Sequence, residues 1–280
     1  MLNTLLLGQD ISEAALFPDK VAHMPAFAYS RPWHYIDAAD DPPRSCGINL
    51  TRDCGGSDGC IISALANHTA RILNPSLPRW ARGQSLRFVL HFVGDVHQPL
   101  HTEALARGGN EIAVRFDAAA ARATANTNLH SVWDTLVAHK WRRRDEWFDK
   151  TRPVESEEEA AFLWALELLH SDPEGVDLSA ECVFDGNNAD ADDNGNDDLI
   201  ECVLQWAQEA NQYVCDYVLK GGVEAVSGGD VDLGQEYYQG AKDIVDIQIR
   251  RAGRRLAKWL DALAERWAAQ EGQQQLVVQD

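Results

Sequence analysis

Apolar positions recur at intervals of three and four residues over four long stretches, the spacing that aligns one face of an α-helix. From Cys60 to Leu73, Ile61, Leu65, Thr69 and Ile72 keep that period, and Leu86, Val89, Leu90 and Val93 keep it in a second stretch that Pro99 should end or kink. A third helix is predicted through Leu199, Val203, Trp206, Ala210, Val214 and Val218. The C-terminal stripe is the clearest: Val245, Ile249, Ala252, Leu256, Trp259, Leu263 and Trp267. Arg250, Arg251, Arg254 and Arg255 fall mostly off it and read as a solvated charged face. Period-two alternation is scarce, with Glu111 to Phe116 the only short strand candidate. Loops are expected from Pro42-Pro43 through Gly59 and from Asp185 to Asp198. With no internal repeat and no dividing linker, the pattern predicts one all-α domain over residues 1–280.

Composition narrows the picture. A hydrophobic fraction of 45% over 280 residues is enough for a substantial core and excludes general disorder. No run approaches the roughly eighteen apolar residues of a membrane-spanning helix, so no membrane partner is expected. The net charge of −19 argues against holding nucleic acid by broad phosphate neutralisation. If the chain acts on phosphates, bound metal must attract them. Six cysteines allow fifteen pairings, and none forms a CxxC pair. With acceptor sequons at Asn49 and Asn67, they tilt the expectation towards a secreted protein. The first ten residues, Met1 to Asp10, lack the basic region of a signal peptide, so the true N-terminus is expected to lie upstream.

The chemistry-bearing residues concentrate between His91 and Asp134. His91 and Asp95, four apart on a predicted helix, share a face, and His130 and Asp134 repeat the spacing. His101 follows the Pro99 break, where the chain can turn back. Imidazole and carboxylate are the ligands zinc takes when cysteine is absent, and a carboxylate such as Asp95 has two oxygens with which to bridge a pair of ions. A single His-x3-Asp pair is usually an ordinary polar face. Two pairs flanked by Phe92, Val93, Val132 and Trp133 point to partnered, partly buried groups.

The block His91-Phe92-Val93-Gly94-Asp95-Val96-His97-Gln98-Pro99-Leu100-His101, then Gly108-Gly109-Asn110, then Asn128 to Asp134, resembles the zinc-dependent single-strand-specific nucleases. This is the family of nuclease S-one and the plant bifunctional nucleases, related to zinc phospholipase C. Pro32-Trp33-His34-Tyr35-Ile36-Asp37, Asp19, Asp53-Cys54-Gly55-Gly56, Cys60 to Asn67 and Trp206 to Val218 extend the likeness over most of Asp19 to Leu260.

The resemblance implies an all-α fold of that type and several zinc sites. Asp19, His34, His91 and Asp95 would hold one ion, and His101, His130 and Asp134 another. Asp95 would also reach a third, whose remaining family ligands, an N-terminal tryptophan and a nearby histidine, are not in this chain; two firmly bound ions and a truncated start are therefore expected. Ala22 stands where the family commonly carries a phosphate-contacting basic residue, for which Lys20 or His23 are candidate substitutes. Tyr35 and Asp37 fall where family members stack on and hydrogen-bond a nucleobase. Cys46 with Cys215 and Cys54 with Cys60 match family pairs, leaving Cys182 with Cys202. The other histidines, His23, His68, His97, His139 and His170, are expected in ordinary surface or core roles.

Between Cys182 and Cys202 lies an acidic insert, Asp185 to Glu201, with seven acids and no base. Asp190, Asp192, Asn194, Asn196 and Glu201 fit the ligand spacing of a calcium loop, with Gly195 at the turn. The expectation is a secreted zinc phosphodiesterase, with calcium as a second ion. It would cleave single-stranded DNA or RNA to 5′-phosphorylated products and remove 3′-phosphates from nucleotides. Two alternatives share these features: a zinc phospholipase C-like lipid hydrolase, and a non-catalytic zinc- and calcium-binding protein.

Overall fold

The computed structural model describes residues 1–117, 124–142, 156–170 and 197–277. Three short helices, α1 (Leu2–Leu6), α2 (Ile11–Ala15) and α3 (Phe17–Ala22), lead into a 3-10 stretch at Pro25–His34. After α4 (Leu50–Asp53) come the first long helices, α5 (Ile61–Leu73) and α6 (Arg79–Asp95). A hairpin of β1 (Ala113–Phe116) and β2 (Thr124–Asn128) pairs antiparallel, with Ala113 opposite Asn128. It runs into α7 (Leu129–Ser131), a π-helical turn at Val132–Leu136, and α8 (Val137–Arg142). Then follow α9 (Glu157–His170), α10 (Asp197–Tyr213) with a second π turn at Val214–Val218, α11 (Val223–Ser227) and the long α12 (Glu236–Val277).

The all-α expectation holds, and the helical stripes are the buried ones. Ile61, Leu65, Thr69 and Ile72 are buried in α5, as are Leu86, Val89, Leu90 and Val93 in α6. α5 starts where Cys60 and Ser63 cap each other: the Cys60 N–H donates to Ser63 Oγ at 2.9 Å, and the same hydroxyl reaches the Cys60 carbonyl. α6 lies against α1 at Gly83, where a Cβ would stand 2.4 Å from the Leu5 carbonyl oxygen, so only glycine lets the two backbones meet.

Buried side chains form two clusters. The first joins α5, α6, α10 and the later turns of α12, with Trp206 and Trp259 ring centroids 5.3 Å apart. The second joins β1, the α7–α8 segment, the Val214–Val218 turn and the first turns of α12. Val96 belongs to one and Leu100 to the other, so the segment from His91 to His101 runs from the first core to the second. The disulfides Cys46–Cys215 and Cys54–Cys60 form as the resemblance implied. Cys202 is also disulfide-bonded, while Cys182 lies outside the described residues.

Two expectations for α12 need correction. Arg250 and Arg255 are buried rather than solvated, and neither Arg251 nor Arg254 is exposed. Each buried guanidinium has an acid in reach: Arg250 Nε donates to Asp246 at 2.7 Å and Arg255 Nη2 to Glu209 at 2.6 Å. Ile249, placed on the apolar stripe, is 36% exposed, whereas Gln248 is buried and donates to the His97 carbonyl. A helix that serves two cores need not present one straight stripe to both. The loop expected to end at Asp198 gives way to helix already at Asp197, and the chain between Pro42 and Gly59 holds the single turn of α4.

Candidate metal centre

α6 carries His91 and Asp95 one turn apart on the face turned to the 3-10 stretch, which ends at His34. The chain after α6 turns at Pro99–Thr102 and is tied back by two bonds: Ile36 N–H donates to the His101 carbonyl, and His101 Nδ1 to the His34 carbonyl, both at 2.8 Å. β2 delivers α7, whose start is capped by Asn128 accepting from the Ser131 N–H at 2.8 Å. Asp134 then falls within the π turn, an irregularity that in α-helices is frequent at functional sites.

The seven candidate ligands converge into two groups. Around the first, His91 Nε2 stands 3.1 Å from His34 Nδ1, 3.1 Å from Asp95 Oδ2 and 3.3 Å from Asp19 Oδ1. His34 Nδ1 is 3.0 Å from Asp95 Oδ2 and 3.6 Å from Asp19 Oδ1. Tetrahedral donors about 2.0–2.1 Å from zinc stand roughly 3.3 Å from one another, so these spacings suit an ion at their centre. In the second group His101 Nε2 is 3.3 Å and His130 Nε2 is 3.1 Å from the Asp134 carboxylate, and the two rings stack at 5.0 Å. Asp95 Oδ2 lies 3.9 Å from the His101 ring, so its carboxylate stands between the groups.

The tautomers agree. His91, His101 and His130 each donate Nδ1–H to a backbone carbonyl, of Ala15, His34 and Gly108 respectively, which turns Nε2 into the group as the atom a metal would take. A metal-ligating histidine is normally oriented by such a bond. His34 is arranged the other way, with Nδ1 inward and a buried Nε2 that has no hydrogen-bond partner among the described residues. Gly108 must be glycine: its φ is +60°, and a Cβ would lie 2.6 Å from the Leu100 carbonyl oxygen.

Charge is balanced by proximity. Burial works against the charged forms of His91 and His101, yet Asp95 with Asp19, and Asp95 with Asp134, raise them to about 10 and about 9. Asp95 and Asp134 are held far below the usual carboxylate range: burial opposes this, and His101, His91, His34 and His130 overcome it. Asp19 is lowered by its bond to His91. In protein stripped of metal, the histidine contribution to stability is complete below their ordinary value near 6.5 and is lost as pH rises through about 9 to 10. The carboxylate contribution is complete above the ordinary value near 4 and is lost on acidification. Both histidines therefore carry protons at pH 7, and loading the sites at that pH is expected to release about two protons, because a metal takes only neutral imidazole. Titration calorimetry in buffers of differing ionisation enthalpy measures this; a heat independent of buffer would contradict it.

Both groups open into one cavity of about 790 Å3, whose lining also includes Tyr35, Asp37 and Asn110. His23 lines it as well, whereas Lys20 does not. Two arginines on its wall belong to none of the sequence motifs. Arg31 donates Nε–H to the Ala22 carbonyl at 2.8 Å, and Arg107 projects from the turn before Gly108. The available signal was position: Arg31 precedes His34 by three residues, and Arg107 adjoins Gly108-Gly109. Gln98, equally unremarked, donates to Asp134 Oδ1 at 2.6 Å.

The remaining histidines split. His68 and His97 are buried and held neutral, each lowered to about 3 by burial. His97 Nδ1 donates to the Val93 carbonyl, and its Nε2 accepts from Arg255 at 2.7 Å. Asn49 and Asn67 are both exposed. Of the calcium-loop residues, Asp190, Asp192, Asn194 and Asn196 lie outside the described residues, and Glu201 is exposed on α10.

Against known proteins, residues 1–265 match the family model described as S1/P1 Nuclease. The chain is 35% identical to Nuclease S1 of Aspergillus oryzae over 269 residues, covering 92% of this chain and 82% of that protein. It is also 35% identical to Nuclease P1 of Penicillium citrinum, covering 90% and 84% of the two chains. Endonuclease 1 of Arabidopsis thaliana shares 30% identity over 90% of this chain and 74% of its own length.

Proposed function

This chain belongs to the S1/P1 nuclease family and is a hydrolase of phosphodiester bonds in nucleic acid, and from that premise we propose a zinc enzyme that cuts single strands to 5′-phosphorylated products and removes 3′-phosphates from nucleotides. The observation that carries the reading is the convergence of four imidazoles and three carboxylates at ligand-to-ligand spacing on one cavity. Nitrogen and oxygen donors without thiolate suit zinc. Asp19, His34, His91 and Asp95 hold one ion, and His101, His130 and Asp134 another, all within a single nuclease domain.

Zinc so held would supply Lewis acidity and would lower the pKa of a water towards neutrality. The protein's own groups do the rest. Tyr35 offers a ring on which a base stacks, and Asp37 a carboxylate for the base edge. Stacking requires an unpaired base, which gives the preference for single strands. Arg31, tethered by Nε to the Ala22 carbonyl, brings its guanidinium to the cavity that Asp19 and His34 also line, and meets a phosphate oxygen where Ala22 cannot. Two disulfides and exposed sequons suit a secreted protein, and among the described residues no helix is long and apolar enough to cross a membrane.

The test is a labelled hairpin oligonucleotide incubated with zinc-loaded protein. Cutting confined to the loop, ends that carry 5′-phosphate, loss of activity with chelator, and no hydrolysis of phosphatidylcholine are expected. In the same assay Arg31→Ala should raise KM about tenfold, the scale of one charged hydrogen bond. Equal cutting of stem and loop would overturn the single-strand preference, and cutting insensitive to chelator would overturn the role of zinc.

A further inference from the structure

Arg107 occupies a turn in which four consecutive residues are left-handed: Ala106, Arg107, Gly108 and Gly109 have φ of 49°, 56°, 60° and 76°. Glycine and asparagine tolerate this conformation, and an arginine backbone does so only under strain. The turn is held from outside itself, since Gly108 accepts from His130 Nδ1 at 2.7 Å. The Arg107 side chain does nothing visible for the turn. It is 80% exposed, and its ion pair among the described residues is a long one, 3.8 Å to Glu111, of the surface kind that contributes little.

What the side chain does face is the base-stacking end of the cavity. Arg107, Tyr35 and Asp37 line the same space. The Arg107 charge acts on Asp37, opposing the upward shift that burial imposes on its carboxyl. Yet Arg107 and Asp37 form no ion pair with each other, and Asp37 has no hydrogen-bond partner among the described residues. A carboxylate, a guanidinium and an aromatic ring thus line one cavity, with no ion pair between the two charged groups.

That is the complement of one base. Guanine presents two adjacent donors, N1–H and N2–H2, to a carboxylate, and on its other edge two acceptors, O6 and N7, to an arginine fork. Adenine turns an amino group towards the arginine and offers no N1–H. A pyrimidine has no pair of acceptors on that edge. Resting on the reading of Tyr35 and Asp37 as a base pocket, we propose that Arg107 is a specificity-determining residue that holds the O6/N7 edge of guanine while Asp37 holds the N1/N2 edge, so that strands containing guanine are cleaved in preference to others.

Zinc-loaded wild type, Arg107→Ala and Arg107→Lys are compared on d(GpG), d(ApA), d(CpC) and d(TpT), where the same base on both sides removes any question of which one is bound. Wild type should favour d(GpG) over d(CpC) in kcat/KM by at least about fivefold, the lower end of one bidentate contact. Arg107→Ala should bring that ratio to within about twofold, and lysine, lacking the fork, should restore it only in part. On wild type alone, replacing guanine by 7-deazaguanine should lower kcat/KM, because N7 is gone; Arg107→Ala should not register that change. An equal fall on all four substrates in Arg107→Ala would assign the residue to phosphate and overturn the proposal, as would a guanine preference that survives the substitution. Wild type that cleaves all four alike overturns base reading while leaving the nuclease assignment intact, whereas wild type that cleaves none of them overturns the proposed function itself.

Discussion

Asp95→Ala is expected to abolish cleavage and to lower the zinc content, a larger effect than any other single change at the site. The Asp95 carboxylate is 14% exposed and lies within 3.9 Å of ring nitrogens of His34, His91 and His101. Removing it takes a carboxylate ligand from the first group and leaves Asp19 and Asp134 as the only acids among the described residues balancing those imidazoles, so metal affinity falls. Groups that only orient a ligand cost about 10–100-fold in affinity or activity when removed, and loss of a ligand itself should exceed that. Gln98→Ala supplies the comparison. It deletes the 2.6 Å bond to Asp134 but no ligand, so its loss should stay within that range. Elemental analysis and kcat/KM on single-stranded DNA measure both variants. Full zinc content and activity in Asp95→Ala would remove Asp95 from the centre.

The second large effect is on stability. Cys46–Cys215 spans 169 residues of sequence and Cys54–Cys60 only 6. Restricting the unfolded chain over those loops stabilises the fold by about 5 and about 2 kcal/mol respectively. Replacing Cys46 and Cys215 together with serine should lower the melting temperature on the order of 10 °C, against a few degrees for Cys54 and Cys60. The long bridge ties the chain that follows Tyr35 and Asp37 to the Val214–Val218 turn, so its loss should loosen the base end of the cavity before it touches α6. Calorimetric melting of the two double variants decides this; equal losses would mean that loop length does not govern the stabilisation.

Helix positions were legible in the sequence wherever one stripe faced one core. α5, α6 and α10 run through the predicted apolar positions, because burial on one side leaves a 3.6-residue period. The start of α12 was not legible, since its residues answer to a second core and to partly buried acids, and a buried Arg250 or Arg255 carries no mark of its partner in local sequence. β2 was missed because Thr124 to Asn128 has no apolar alternation; its pairing with β1 is a tertiary fact. The site was unusually readable. Four candidate ligands come as His-x3-Asp pairs and a fifth follows a proline break, so spacing alone points to them. Asp19 and His34 carry no such spacing and were reached through family resemblance. Arg31 and Arg107 are visible only once the fold closes the cavity, because nothing in a linear chain says that a surface arginine lines it.

The central claim is that two groups of nitrogen and oxygen donors each hold zinc. A crystal grown with zinc and measured on both sides of the zinc absorption edge tests it directly. One anomalous peak is expected within bonding distance of Asp19, His34, His91 and Asp95, and another within bonding distance of His101, His130 and Asp134. Zinc found only elsewhere on the protein, with both groups free of anomalous density at saturating metal, would contradict it.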